Sequence, residues 1–461
     1  MTEPVTLMPL SAGPVAFHVM AKPTGAVCNL DCAYCFFLSK DQLYPGSTFR
    51  MEPHVHEAYV GQLLAAHEGM SEVVVAFQGG EPTLMGLDFF RRTLELEEQF
   101  RRPGQRILNT IQTNGTLLDE EWGAFLHEHG FLVGVSIDGP REMHDAYRRD
   151  KGGHPTFTRV LGGIEVLRRY DVEWNALTTV NSANGDHGRE VYTFLRDELG
   201  ARFIQLIPVV ERVTANVLPL VENGWGRRRG DRPLYRQQGD LVTDRTVGAQ
   251  QYGQFLIEVF EEWARHDIGD VFVQEFDTAL AHWLGMEQAG MCVHARTCGT
   301  ALALEHSGDV YSCDHYVEED YLLGNIAEGR TLLQFAGSAQ QTAFGDAKQD
   351  TLPEHCRTCD VRFACNGGCP KDRFLVTPDG EPGLHYLCAG YQRFFRHIDE
   401  PMRIMADLLR NGEDATGLAD WYADRDHHLA RTAPCTCGSG LEWIRCHGAS
   451  IGAPAAPLDG Q

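Results

Sequence analysis

Residues 28–35 read Cys28-Asn29-Leu30-Asp31-Cys32-Ala33-Tyr34-Cys35, and residues 79–82 read Gly79-Gly80-Glu81-Pro82. The first stretch has the spacing C-x3-C-x2-C. Three thiolates this close suit an iron–sulfur cluster better than zinc, because structural zinc usually takes four protein ligands. A four-iron cluster held by three thiolates leaves one iron open to a small molecule. A zinc site completed by a distant histidine (the chain has 20), or a redox thiol set, is the plainer reading of the spacing. Both stretches follow short apolar runs. Val15–Met20 leads into the cysteine loop, and Val73–Phe77 reads as a buried strand that the glycines end. Glycines there let the backbone approach a ligand closely, at the sheet end where parallel α/β folds bind ligands.

The same alternation runs outward. Ile107–Ile111, Leu132–Ile137, Trp174–Val180 and Phe203–Val209 read as further strands. Helical spacing separates them, as in Phe89, Phe90, Leu94 and Leu96, or Val160, Ile164, Val166 and Leu167. Trp122, Phe125 and Leu126, and Val191, Phe194, Leu195 and Leu199, do the same. Short apolar runs alternating with helices indicate βαβ units and a parallel sheet. Six such repeats fall short of the ~250 residues of an eightfold barrel. The expected fold is therefore α/β, a partial (β/α)6 barrel. Asn216–Val247 is polar and rich in Arg and Gly, an excursion from that pattern. Ala249–Arg265 predicts an amphipathic helix, with Phe255, Leu256, Val259, Phe260 and Trp263 on one side. From Cys292 to Cys388, short strands and turns leave little room for a hydrophobic core, so metal is expected to supply stability there. Tyr391–Leu409 looks helical again. The expected domains are residues 1–245, 246–400 and 401–461.

Composition narrows the function classes. The 461 residues carry 40 Lys+Arg against 64 Asp+Glu, a net charge of −24, which repels nucleic acid and anionic membranes. Hydrophobic residues make up 43%, enough for a sizeable core. Mean hydropathy is −0.28, and no apolar run approaches the ~20 residues of a spanning helix. The N-terminal stretch has neither a basic n-region nor a long apolar h-region. A cytoplasmic protein without nucleic-acid or membrane partners is expected. In that compartment 14 Cys are ligands or reactive thiols rather than disulfides. They fall into three groups, with none between Cys35 and Cys292.

The pairing of C-x3-C-x2-C with a GGEP strand end resembles the radical S-adenosylmethionine superfamily. Gln112-Thr113-Asn114-Gly115, Ser136-Ile137-Asp138-Gly139-Pro140 and His144–Arg148 match it further. The resemblance implies a [4Fe-4S] cluster on Cys28, Cys32 and Cys35, whose open iron chelates the amino and carboxylate groups of S-adenosylmethionine. It carries over Tyr34, Gln78, Gly79, Gly80, Glu81, Ser136, Arg148 and Val210 as contacts of that cofactor. Arg148 would meet the methionine carboxylate or ribose as a fixed cation, and Val210 would pack on the adenine. Without the family, Ser136 is a turn residue, Arg148 a surface salt bridge and Val210 plain core.

Cys298-x14-Cys313, then Cys356-x2-Cys359-x5-Cys365-x3-Cys369 and Cys388, resemble the seven-cysteine SPASM pattern, with Cys292 as an eighth ligand. Spacing alone does not partition them. The resemblance assigns Cys292, Cys298, Cys313 and Cys369 to one auxiliary [4Fe-4S] cluster, and Cys356, Cys359, Cys365 and Cys388 to a second. That makes three [4Fe-4S] clusters in all. Fully thiolate-bound clusters have no open iron and fit electron relay. Phe77–Leu84, Gln112–Leu118, Gln205–Arg212 and Tyr311–Asp314 are most similar to anaerobic sulfatase-maturating enzymes. That resemblance implies oxidation of a Cys or Ser of a sulfatase to Cα-formylglycine through a 5′-deoxyadenosyl radical. The auxiliary clusters would take the second electron, and Asp314 would act as general base. It also implies two partners: an unfolded or nascent sulfatase carrying Cys/Ser-x-Pro-x-Arg, and an electron donor such as flavodoxin or ferredoxin. Asp277 is a competing carboxylate. Phe36-Phe37 departs from the family's frequent Phe-Tyr pair. The alternative function is a SPASM peptide maturase forming thioether or carbon crosslinks. A mere electron carrier or zinc adaptor fits poorly with GGEP and a three-cysteine site. At the C-terminus, Cys435-x-Cys437-x8-Cys446-His447 resembles the SEC-C motif. Three thiolates and an imidazole imply one closed, structural Zn2+, serving either partner docking or the tail's own stability.

Overall fold

Strand, turn and helix alternate along the first half of the chain. A computed structural model describes residues 17–226, 232–286, 290–432 and 442. The strands are β1 (His18–Lys22), β2 (Glu72–Phe77), β3 (Arg106–Thr113), β4 (Leu132–Ser136), β5 (Trp174–Val180) and β6 (Phe203–Pro208). Each pairs parallel with the next. Between them run α1 (Pro53–Ala66), α2 (Leu87–Phe100), α3 (Glu120–Glu128), α4 (Arg141–Tyr147), α5 (Phe157–Arg169) and α6 (Gly188–Thr193). Strand alternation separates two faces. Val73, Val75 and Phe77 of β2 are buried, as are Trp174, Ala176, Thr178 and Val180 of β5. Gln78, Gln112, Ser136 and Asn175 fall in the half-buried alternate positions. Gly134 on β4 leaves room on that face, since a Cβ there would collide with the Gln112 amide.

The second half extends the same sheet. A short hairpin, β7 (Arg212–Val213) and β8 (Leu241–Val242), brackets the polar excursion. Buried Glu211 pins it, accepting from Arg245 Nε at 2.8 Å, Thr243 Oγ1 at 2.6 Å and Trp225 Nε1. Then come α7 (Ala249–His266), β9 (Phe272–Val273), α8 (Gln274–Trp283), β10 (Ala301–Glu305), β11 (Asp309–Tyr311) and β12 (Leu322–Asn325). They are followed by α9 (Leu332–Ala336), α10 (Ala339–Asp350), α11 (Glu354–Arg357), α12 (Arg362–Cys365), β13 (Arg373–Val376) and β14 (Pro382–His385). Helices α13 (Cys388–His397), α14 (Asp399–Arg410) and α15 (Leu418–Thr432) complete the described chain.

The main sheet has ten strands, ordered β12-β11-β10-β1-β2-β3-β4-β5-β6-β9, and stays open, as a partial barrel does. β10 pairs parallel with β1, setting Lys22 opposite Glu305. The cysteine-rich segment is therefore not without a core, contrary to the expectation from its sequence. Leu302, Leu304 and Val310 are fully buried in the main hydrophobic cluster. Too short to enclose a core alone, these strands borrow that of the first half. No helix among the described residues is long and apolar enough to cross a membrane.

Candidate active site

The loop after β1 carries Cys28, Cys32 and Cys35, and its neighbours clamp it from two sides. Asp31 N and Ala33 N donate to Arg149 O and Tyr147 O at 2.8 and 2.9 Å, and Leu30 bridges to Asp150. From β2, Gly80 N and Glu81 N donate to Gly25 O and Val27 O at 2.8 and 3.0 Å. A Cβ on Gly80 would collide with the Val27 carbonyl, and Gly79 has a φ of +122°. These glycines thus press against the cysteine loop's own backbone, where the sequence suggests room for a ligand. Glu81 is buried and fully engaged. It accepts from Thr83 N (3.0 Å), Thr83 Oγ1 (2.6 Å), Thr113 Oγ1 (2.8 Å) and Asn114 N (2.7 Å), locking the ends of β2 and β3 together. Burial pushes all three thiols up, Cys32 to about 12. Their mutual repulsion adds to the shifts of Cys28 and Cys32. Three thiolates here need a cationic centre among them, which a four-iron core supplies.

Tyr34 and Arg148 meet on Asp138. The Tyr34 hydroxyl donates to Asp138 Oδ2 at 2.5 Å, and Arg148 Nε lies 2.9 Å from the same oxygen. Asp138 Oδ1 accepts from Thr179 N at 3.0 Å. Burial opposes ionisation of Asp138, but Arg148 outweighs it and holds the carboxyl below its usual range. Arg148 is thus a buried brace on its Nε side. Its two Nη atoms make no hydrogen bond among the described residues. Gln112 Nε2 donates to Ser136 Oγ at 3.2 Å. Val210 lies in the main core, while its neighbour Val209 packs on Leu30, Cys32 and Tyr34. Val209, which the sequence analysis does not single out, is thus the valine that touches the cysteine loop. The two follow β6 directly, and the sequence alone does not say which of them turns towards the loop.

The later cysteines separate into two sets by the charges they exert on one another. Cys298 feels Cys292, Cys313 feels Cys369 and Cys292, and Cys369 feels Cys298. Cys365 and Cys388 feel each other's set, Cys356 and Cys359. A small cavity is lined by Cys356, Cys359, Cys365 and Cys388. Among the described residues no three His, Cys, Asp or Glu converge on a single-ion site.

Asp314 follows Cys313 and pairs with Lys22, the last residue of β1. The Lys22 ammonium is buried and sits 4.0 Å from the centre of the Phe37 ring. Phe37, the departure from the family pattern, thereby offers an aromatic face to that cation. Asp314 Oδ1 is buried, yet the side chain is 22% exposed, so the remainder of the carboxylate opens outward. Burial pushes Asp314 towards the neutral acid, but Lys22 and His315 outweigh it and hold the carboxyl below its usual range. Asp277 lies elsewhere. It lines a cavity with Leu132, Phe203 and Phe272, which open β4, β6 and β9 at the opposite end of the strands, and burial pushes it up to about 6. Cys435, Cys437, Cys446 and His447 fall outside the described residues.

Comparison with known proteins agrees with this geometry. The Radical SAM superfamily profile matches residues 23–195, the SPASM iron-sulfur cluster-binding domain 292–360, and the SEC-C motif 431–449. A serine-type anaerobic sulfatase-maturating enzyme of Bacteroides thetaiotaomicron is 43% identical over 395 residues, 86% of this chain and 92% of that protein. A cysteine-type enzyme of Clostridium perfringens is 32% identical over 382 residues, 82% of this chain and 95% of its own length. The solved structure of native anSMEcpe with bound AdoMet and Cp18Cys peptide superimposes with a TM-score of 0.71 at 31% identity. It covers 85% of this chain and 99% of that one. Identity of this extent, running through both thiol-bearing segments, makes the chain a member of the family of anaerobic sulfatase-maturating enzymes.

Proposed function

We propose that the chain oxidises a serine or cysteine side chain of a sulfatase segment to Cα-formylglycine. The observation that carries this reading is the Lys22–Asp314 pair. It joins the root of the radical-cluster loop to the residue after Cys313. Cys28, Cys32 and Cys35 would hold a [4Fe-4S] cluster at which bound S-adenosylmethionine would supply a 5′-deoxyadenosyl radical for hydrogen abstraction at the substrate Cβ, and the two later cysteine sets would hold auxiliary [4Fe-4S] clusters able to accept the second electron. The substrate must then release its thiol or hydroxyl proton. Asp314 accepts that proton on the oxygen that Lys22 leaves free. Lys22 fixes the carboxylate, and Phe37 backs Lys22 with an apolar wall.

Tyr34, Asp138 and Arg148 hold the cysteine loop rigid, with the Arg148 Nη atoms turned to a carboxylate or ribose. Gln78, Gly79, Gly80, Ser136 and Val210 border the same ligand, and Glu81 keeps the strand ends in place. Residues 1–245 form the radical core, 246–400 the auxiliary-cluster domain and 401–461 the tail. Cys435, Cys437, Cys446 and His447 bind one structural zinc. The partners are a nascent or unfolded sulfatase bearing Cys/Ser-x-Pro-x-Arg and a flavodoxin- or ferredoxin-like donor. The reducing cytoplasm suits so many ligand thiols.

The test uses anaerobically reconstituted protein with S-adenosylmethionine, dithionite and a Cys-x-Pro-x-Arg peptide or its serine twin. By atom balance, the cysteine peptide becomes roughly 18 Da lighter and the serine peptide roughly 2 Da lighter. The first figure includes exchange of sulfur for oxygen by hydrolysis. Formation of 5′-deoxyadenosine with both peptides unchanged would remove the substrate assignment and leave crosslinking of a precursor peptide as the better reading.

A further inference from the structure

Six Lys and Arg side chains are buried among the described residues: Lys22, Lys40, Arg148, Arg245, Lys348 and Lys371. Five have a carboxylate within ion-pair distance, respectively Asp314, Glu318, Asp138, Glu211 and, for Lys371, Asp372. Lys348 is the exception, and it is the most deeply buried, at 0% exposure. Its Nζ donates to Cys292 O at 2.6 Å, to Val293 O at 3.0 Å and to Ala295 O. Three carbonyls accepting from one nitrogen require three N–H bonds, which only the ammonium form has. An ammonium this deep costs several kcal/mol unless an opposite charge faces it. Helix α10 lies directly against the segments that carry these thiols: Lys348 Nζ sits on the carbonyl of Cys292 itself, and Cys298 N donates to Gly345 O at 3.1 Å, one turn before Lys348, so the thiolates of Cys298, Cys369 and Cys292 are the negative charge that faces it. The nearby Arg373 adds positive charge rather than relief, donating to Lys348 O at 2.5 Å.

The missing counter-charge is therefore the thiolate set itself. Four thiolates around a four-iron core leave a net negative charge, and that charge grows by one when the core accepts an electron. A fixed cation beside it favours the reduced state, because net charge and polar contacts set cluster potentials. We propose that Lys348 is the built-in counter-charge of the cluster held by Cys292, Cys298, Cys313 and Cys369, and that it raises that cluster's reduction potential so that it accepts the substrate's second electron. The inference rests on the reading that these four thiols hold a four-iron cluster. It adds the residue that makes this cluster an acceptor.

The experiment uses full-length protein in which Cys28, Cys32 and Cys35 are replaced by Ala, leaving only the auxiliary sites. Iron and sulfide are counted, and EPR-monitored redox titrations are run on this parent and on its Lys348→Met and Lys348→Arg derivatives. In Lys348→Met the equilibrium constant for reducing one of the two clusters should fall at least tenfold, about 59 mV for a one-electron couple. The other cluster should not move, and Lys348→Arg should stay near the parent. A fully loaded Lys348→Met with both potentials unchanged would overturn the proposal. If Lys348→Met fails to hold one cluster while Lys348→Arg holds it, the counter-charge role is supported. Failure of both variants to load would make Lys348 a structural strut and overturn it. Absence of auxiliary iron in the parent would bring down the cluster assignment itself, and the inference with it.

Discussion

Glu275, in the first turn of α8, shows how single residues here are governed by what surrounds them. Its Oε1 accepts from Leu206 N at 2.9 Å, while Oε2 is buried without a partner. Burial pushes the carboxyl up to about 8, against about 4.3 for an unfolded glutamate. A group whose folded value is raised stabilises fully below its unfolded value, and that contribution is lost as pH rises through the folded value. Between pH 5 and pH 8, wild type should lose stability relative to Glu275→Gln, read as urea midpoints at the two pH values. Equal pH slopes in the two proteins would contradict this. The candidate site was legible to a similar depth. The spacing of the cysteines and the GGEP strand end point to cluster chemistry by themselves, whereas Arg148 and Asp314 stand out only through the family resemblance. Lys22 does not, because only the sheet brings residue 22 to residue 314. Asp138 hid in a turn motif, although it is the anion on which Tyr34 and Arg148 converge.

Elements one to six of the sheet follow directly from apolar runs and helical spacing, since strand and helix periods differ and the connections are short. Helix α1 carries its own signals, Pro53 at its first position and buried Val55, Tyr59 and Leu63 four residues apart. The place of β10 could not be read in this way. A five-residue apolar strand fits any sheet, and its partner β1 lies far away in sequence. Close helix contacts were equally silent. Helices α7 and α13 meet through Gly253 and Gly390, and a Cβ on Gly390 would collide with Ala249 O. Gly390→Ala should therefore force α13 off α7, at a cost of about 1–3 kcal/mol. Cys388 opens the same helix, so iron should be lost from the second auxiliary set as well. Urea midpoints and iron per chain test this together, and a variant with wild-type values for both would refute the close-packing argument.

Across the whole molecule, one open sheet carries both the radical-cluster loop and the auxiliary strands. Its register sets Lys22 of the first half beside Asp314 of the second. The net charge of −24 repels broad anionic surfaces. The tail is a separate matter. If Cys435, Cys437, Cys446 and His447 form a closed site, purified protein should hold about one zinc per chain. The double variant Cys435→Ser, Cys437→Ser should lose it, and a zinc-free wild type would eliminate the site. If Asp314 is the base, proton removal is coupled to departure of the second electron, after a hydrogen abstraction that does not need this carboxylate. The measurement closest to it is the ratio of 5′-deoxyadenosine to formylglycine in Asp314→Asn with its clusters intact. Continued 5′-deoxyadenosine formation is expected, with formylglycine reduced at least ~100-fold, within the usual range for losing a general base. Formylglycine formed at the wild-type ratio would contradict it.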